Sequence, residues 1–169
     1  STNMDLVYYV DHLQKLGETL FASRYEEGLG GKGNNQAIMV AKLTTTSTPH
    51  DPKCIFVSCV GGDEYGTKLR SNFENYLDVV DTVYRLENTP SGRAVINVDK
   101  DGRNNIVLLG GANAAMKTDH VDQAWDLIVK QTKILVVQNE VSWDVTAHAL
   151  KRGKESGLVT IFNPAPAPT

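Results

Sequence analysis

The sequence predicts an α/β protein: a main sheet covered by helices on both faces, with a second, smaller sheet beside it. Three observations carry this. Residues 54–60, 134–137 and 158–162 are short, nearly continuous apolar runs, the pattern of strands buried on both faces. These runs alternate with stretches at helical spacing, as in a parallel sheet with crossover helices. Two strand–turn–strand segments interrupt that rhythm. With no helix between their arms, they are antiparallel hairpins and fall outside the parallel core.

Taken in order, residues 5–13 are rich in β-branched and aromatic types and read as a strand. Gly17 marks a turn, and residues 19–25 read as the antiparallel partner. Then comes Gly28-Leu29-Gly30-Gly31-Lys32-Gly33-Asn34-Asn35-Gln36, a glycine-rich loop leading into a helix with Ala37, Ile38, Ala41 and Leu43 on its apolar face. Residues 44–53, rich in Thr, Ser and Pro, read as a polar, mobile loop. Residues 54–60 form a buried strand ended by Gly61-Gly62, and Asp63 caps a helix over 65–76. Residues 79–85 read as a short strand. The second hairpin has arms at 92–98 and 105–109 around Asp99-Lys100-Asp101-Gly102. Thr118 or Asp119 caps a helix over 120–130, and residues 134–137 are a strand. Ser142 caps a helix that Gly157 ends, and residues 158–162 are the last strand.

The glycine-rich stretch carries the chemistry. Backbone N–H groups at a helix N-terminus favour an anion or a strongly polar oxygen. Lys32 adds a cation, while Asn34, Asn35 and Gln36 add donors and acceptors. A plain alternative is a glycine-rich turn that caps a core helix. Gly28, Gly30 and Gly33 satisfy G-x-G-x-x-G, but about 20 residues on, where a dinucleotide site needs an acid after a strand, lies the Thr-rich loop. A phosphate-binding P-loop needs Gly-Lys-Ser/Thr, and Lys32 is followed by Gly33.

Composition excludes several classes. A formal charge of −3 gives no electrostatic case for nucleic acid or an anionic membrane. No apolar run approaches the roughly 20 residues that span a bilayer, and residues 1–5 lack the features of a signal peptide. Cys54 and Cys59, if on one strand, lie about 16 Å apart at about 3.3 Å per residue. A disulfide needs Cα atoms within about 7 Å, so a reducing, cytoplasmic setting is expected. His12, His50, His120 and His148 show no metal-ligand spacing. There is no Ser/His/Asp pattern, and Trp125 and Trp143 read as packing residues on helices.

The Gly-Gly-Lys-Gly-x-Asn-Gln core at Gly30–Gln36 resembles the first signature of the ribokinase-type (PfkB) carbohydrate kinases. The resemblance extends over essentially the whole chain. Ser1-Thr2-Asn3-Met4-Asp5 is similar to the family's early Ser-x-Asn-x-Asp motif, and Gly17-Glu18-Thr19 to the turn of its first lid hairpin. Val60-Gly61-Gly62-Asp63 with Gly66, Gly110-Gly111-Ala112-Asn113 and Asn163-Pro164-Ala165-Pro166-Ala167 are further family phrases. Two departures stand inside the motifs: Asn34 replaces a small residue, and Lys15 replaces a proline. Residues 44–53 are also longer than usual.

The resemblance implies a three-layer α/β/α sandwich with a small β-sheet lid made of hairpins at about 5–25 and 92–109. It implies ATP-dependent phosphorylation of D-ribose at its primary hydroxyl, with Mg²⁺, a monovalent cation such as K⁺, and a homodimer formed through the lid. It implies a sugar site of Asn3, Asp5, Gly30, Gly31, Lys32, Asn35 and Glu140. The family's Gly-Ala-Gly-Asp anion hole, whose Asp is the catalytic base, is not found in residues 1–169. Nor are its metal-linked and adenine-binding segments, nor the strand that precedes the early motif. The expectation is a fold incomplete at both ends, with the sugar half present, the nucleotide half absent, no catalytic residue and no activity by itself. A fructokinase, an adenosine kinase and a non-catalytic sugar-binding or interaction module remain as alternatives.

The residues suit such a site. A sugar offers only hydroxyls, which Asp5 and Glu140 accept from and which Asn3, Lys32 and Asn35 donate to. Glu140 follows a strand's carboxyl end, where open α/β sheets bind ligands. Taken alone, Asp5 also reads as a solvated strand residue, Lys32 as a surface lysine, and Glu140 as a cap for the helix near Ser142.

Overall fold

Val60 and its neighbour Cys59 face opposite ways on one short strand, and both are fully buried. The computed structural model describes residues 1–44, 54–76 and 82–167; of the loop expected at 44–53 only Thr44, the last residue of a helix, is described, and residues 79–81 of the strand expected at 79–85 also lie outside the described residues. The elements run β1 (Asn3–Tyr9), β2 (Arg24–Gly30), α1 (Lys32–Thr44), β3 (Ser58–Gly61), α2 (Glu64–Glu74) and β4 (Val83–Leu86). They continue with β5 (Gly92–Val98), β6 (Asn104–Leu109), α3 (Thr118–Gln131), β7 (Ile134–Gln138), α4 (Trp143–Glu155) and β8 (Val159–Asn163). This order of hairpins, helices and strands is the expected one.

Strands β3 and β4 pair in parallel, as do β7 and β8. Val60 packs with Ala37, Ala41, Leu69 and Phe73 from α1 and α2. Cys59 faces the other way, toward Val121, Trp125 and Ile128 of α3 and Val145 and Ala149 of α4. This strand therefore has a helical layer on each face, as its continuous apolar pattern requires. The β7–β8 pair departs from the expectation. Leu135 and Val137 join the core cluster beneath α3 and α4. Ile134, Val136, Val159 and Ile161 lie exposed on the other face, because no helix among the described residues covers it. Trp125 is core, whereas Trp143 is mostly exposed and only stacks edge-on with Phe162.

The two hairpins share one four-stranded sheet in the order β2-β1-β5-β6, joined by the parallel pair β1–β5. The first hairpin differs from its expected limits. Its second strand is β2, not residues 19–25, and it absorbs Gly28 and Gly30. Residues 10–23 form an irregular connection held by a turn at Lys15–Glu18 and by Ser23 N–H donating to the Tyr9 carbonyl. Leu16 and Phe21 there are fully exposed. Gly28 and Gly30, counted as loop formers, are strand residues because they pair with Asp5 and Asn3 of β1.

Asp63 ties this sheet to the core. Its carboxylate caps α2 by accepting from Gly66 N–H at 2.9 Å, and it also accepts from Ser91 N–H, Ser91 Oγ and Arg93 Nη2 at the start of β5. Ser91 Oγ in turn accepts from Gly61 N–H at the end of β3. On edge strand β2, Glu27 accepts from Lys68 Nζ and Tyr65 Oη of α2. Burial pushes the Asp63 carboxyl up. The Ser91 hydroxyl and N–H, the Arg93 guanidinium and the Gly66 N–H outweigh that and hold it well below the usual carboxylate range.

The stabilisation from Asp63 is thus present above its unfolded pKa of about 4 and is lost as pH falls through the lower folded value. Asp63→Ala is expected to lower the unfolding free energy at pH 7 by about 2 kcal/mol, from the lost cap and buried hydrogen bonds. Urea melts at pH 7 and pH 3 check this, and the gap between variant and parent should narrow at pH 3.

Candidate functional site

Alternation along β1 puts Asn3 and Asp5 on one face of the sheet. Cross-strand register sets small residues around them: Gly30 and Gly92 flank Asn3, while Gly28 and Ala94 flank Asp5. The Asp5 carboxylate lies over Gly30, where a Cβ would sit 2.1 Å from Oδ2. Glycine is needed at 30 for this close approach. At Gly31 the need is conformational, since φ is +93° as the chain turns in one residue from β2 into α1. The glycine-rich stretch is therefore a strand end and a single-residue junction rather than an open loop.

The N-terminus of α1 is occupied from within the chain. Lys32 N–H donates to Glu140 Oε2 at 2.8 Å, and Gly33 N–H donates to Ser1 Oγ at 3.0 Å. Ser1 Oγ donates onward to Glu140 Oε2 at 2.8 Å, and Asn34 N–H donates to the Ser1 carbonyl. The free N–H groups read from the sequence are thus already satisfied, and the helix dipole faces the Glu140 carboxylate. Glu140 caps α1, across the fold, while Ser142 caps α4. Lys32 Nζ lies 3.5 Å from Glu140 Oε1.

Asp5, Lys32 and Glu140 form one electrostatic group. Burial raises the Asp5 pKa, repulsion from Glu140 raises it further, and Lys32 opposes both. Asn3 is buried, and its Oδ1 accepts from Asn113 Nδ2 at 2.8 Å. Asn113 also clasps the backbone of Thr2 through both N–H and C=O. Asn35 is exposed on α1, and its Oδ1 accepts from Asn34 Nδ2 at 3.1 Å. Asn3 and Glu140 line a cavity of about 380 Å³ together with Asn113, Asn139 and Leu108. Asp5, Gly30, Gly31, Lys32 and Asn35 are not on its wall. Of these, Lys32 is tied to the cavity wall by its ion pair with Glu140.

The sequence reading gave no site role to Asn113 or to the apolar side chains on the Asp5 face. Register places Leu108 in the Asp5–Ala94 row, and Val7, Ile96 and Ile106 in the next row on that face. The alternation of β5 carried that signal, but only pairing to β1 says which parity faces Asp5.

The model of the pfkB family carbohydrate kinases matches residues 1–168. This chain belongs to the pfkB family. It is 34% identical to the deoxyribokinase of Salmonella typhimurium, over 99% of this chain and 52% of that protein. It is also similar to the solved ribokinase of Thermotoga maritima, with 39% identity and a TM-score of 0.84 over 99% of this chain and 51% of that one. The Arabidopsis thaliana ribokinase complexed with ribose and ATP matches with 30% identity and a TM-score of 0.74, over 96% of this chain and 50% of that one. The chain spans about half the length of the curated relatives it matches. The layered α/β fold of this pfkB chain is thus the expected ribokinase-like one. Among the described residues no helix is long and apolar enough to cross a membrane. Nor do three or more His, Cys, Asp or Glu side chains converge there to hold a metal ion.

A carboxyl whose pKa is raised in the fold makes stability rise as pH falls through the folded value toward the unfolded one. Asp5 therefore destabilises the folded chain at neutral pH. Asp5→Asn is expected to melt at a higher temperature than the parent at pH 7, with the gap closing as pH falls. Thermal melts from pH 7 to pH 4 check this. A lower melting temperature at pH 7 would contradict the assignment of Asp5 as a strained, partly buried carboxylate.

Proposed function

We propose that this chain is the sugar-binding half of a pfkB-family kinase that phosphorylates D-ribose at its primary hydroxyl. The observation that carries the reading is the Asp5–Lys32–Glu140 group at the junction of β1, α1 and the end of β7. A pair of carboxylates flanking one ammonium in a half-buried site accepts and donates hydrogen bonds in the alternation that vicinal hydroxyls need. Gly30 makes room for the Asp5 carboxylate and Gly31 turns the chain into α1, while Asn3 and Asn35 add amides nearby. The similarity to a ribokinase complexed with ribose and ATP supports the same reading.

ATP supplies the γ-phosphoryl group of the reaction. This chain's residues bind and orient the sugar, and the apolar face of the four-stranded sheet excludes water, which would compete as the phosphoryl acceptor. The N–H groups of α1 are committed to Glu140 and Ser1, so this helix is not the phosphate cradle. No three His, Cys, Asp or Glu side chains converge among the described residues, so no residue of this chain is assigned to Mg²⁺ or K⁺. The catalytic base and the nucleotide site are assigned to residues outside this chain. The proposal extends to a homodimer through the same sheet, whose strand β6 exposes Ile106, Val107, Leu108 and Leu109.

Titration calorimetry of the chain with D-ribose is expected to give binding, and coupled assays with ATP no turnover. Ribose-dependent turnover by residues 1–169 would overturn the division of labour. Asp5→Asn should weaken ribose binding roughly 10- to 100-fold through a lost charged hydrogen bond. Gly30→Ala should do the same by driving the Asp5 carboxylate out of its place. Retention of parental affinity in both variants would refute the site. Running 2-deoxy-D-ribose in parallel separates the two sugars acted on by enzymes similar to this chain.

A further inference from the structure

Asn34 stands where this family's motif carries a small residue, and it is 2% exposed. Its Nδ2 donates to the Leu29 carbonyl at 3.5 Å and to Asn35 Oδ1 at 3.1 Å. Its own Oδ1 is buried without a hydrogen-bond partner. A buried amide with one end unsatisfied costs stability, so packing alone does not account for an asparagine here.

The orientation of both amides follows from the Leu29 carbonyl. A carbonyl only accepts, so the Asn34 atom facing it is the nitrogen. The second hydrogen of that nitrogen then points at Asn35, which must present its oxygen in return. With Oδ1 held this way, the Asn35 Nδ2 group is the end left to donate outward. The exposed Asn35 amide, free to turn on its own, is thereby fixed as a donor.

We propose that Asn34 is a positioning residue that locks the Asn35 amide with Nδ2 toward the sugar, so that Asn35 donates to a ribose hydroxyl oxygen rather than accepting from its proton. This rests on the sugar-site reading above. It adds a specificity element: the site requires an oxygen that accepts at this position, and a sugar lacking that oxygen loses the contact.

The test uses the 169-residue chain and three variants, read by calorimetry with D-ribose, thermal melting and the side-chain amide signals of Asn35 in nitrogen-15 NMR spectra. Asn35→Ala should weaken ribose binding at least roughly tenfold. Asn34→Ala should weaken it about fivefold with no drop in melting temperature, since it removes a buried unpaired oxygen. Asn34→Asp keeps the shape but can only accept, so it turns the Asn35 amide round. It should bind no better than Asn34→Ala, and ribose should no longer shift the Asn35 amide signals. If Asn34→Asp does not fold, Asn34→Ala alone decides. Parental affinity in the Asn34 variants alongside a defective Asn35→Ala overturns the positioning role and leaves the sugar site standing. An unaffected Asn35→Ala, or a parent chain that does not bind ribose, overturns the sugar-site reading and this inference with it.

Discussion

The Glu140 carboxylate at the N-terminus of α1 is the contact on which the site depends. It follows the last residues of β7, receives Lys32 N–H and Ser1 Oγ, and has Lys32 Nζ beside its other oxygen. One side chain thereby joins the carboxyl end of a core strand, the first turn of a helix and the segment leading into β1. Within a site that excludes much of the water, these charged hydrogen bonds are stronger than at the surface, and leaving any one unmade is costly. The same carboxylate repels Asp5, so the arrangement that builds the site also strains it.

The four-stranded sheet is held against the core by comparatively few groups. Asp63 binds the start of β5 to the α2 cap, Glu27 reaches Lys68 and Tyr65, and Asn113 clasps Thr2. Met4 of β1 adds a fully buried apolar side chain to these polar ties. The sheet sets two rows of small residues beside Asn3 and Asp5 and exposes apolar strand β6 at its edge.

Two unfavourable features lie near the residues of the sugar reading. The raised Asp5 carboxyl and the unsatisfied Asn34 oxygen each cost stability, and neither belongs to one of the two apolar clusters. Buried oxygens and nitrogens without a partner also occur away from there, at Ser58 Oγ in β3 and Arg93 Nε in β5. Asp63 and Ser142 cap their helices, Gly157 ends α4, and β3 is buried from both sides.

By itself the sequence determined the order of elements, the presence of two hairpins and the caps of α2 and α4, whereas the cap of α3, expected at Thr118 or Asp119, is Lys117. Apolar periodicity, β-branching, cap residues and turn glycines act over a few residues and need no partner to be read. It also carried, through its motifs, the family. Only the tertiary structure decided that Gly28 and Gly30 lie in a strand and that Glu140 and Ser1 already fill the α1 N-terminus. It also decided that Asn113 supports Asn3, and which face of β5 meets Asp5. Each of these depends on strand register or on contacts between residues far apart in the chain. A register shift of one residue would reverse every face while leaving the local sequence pattern unchanged.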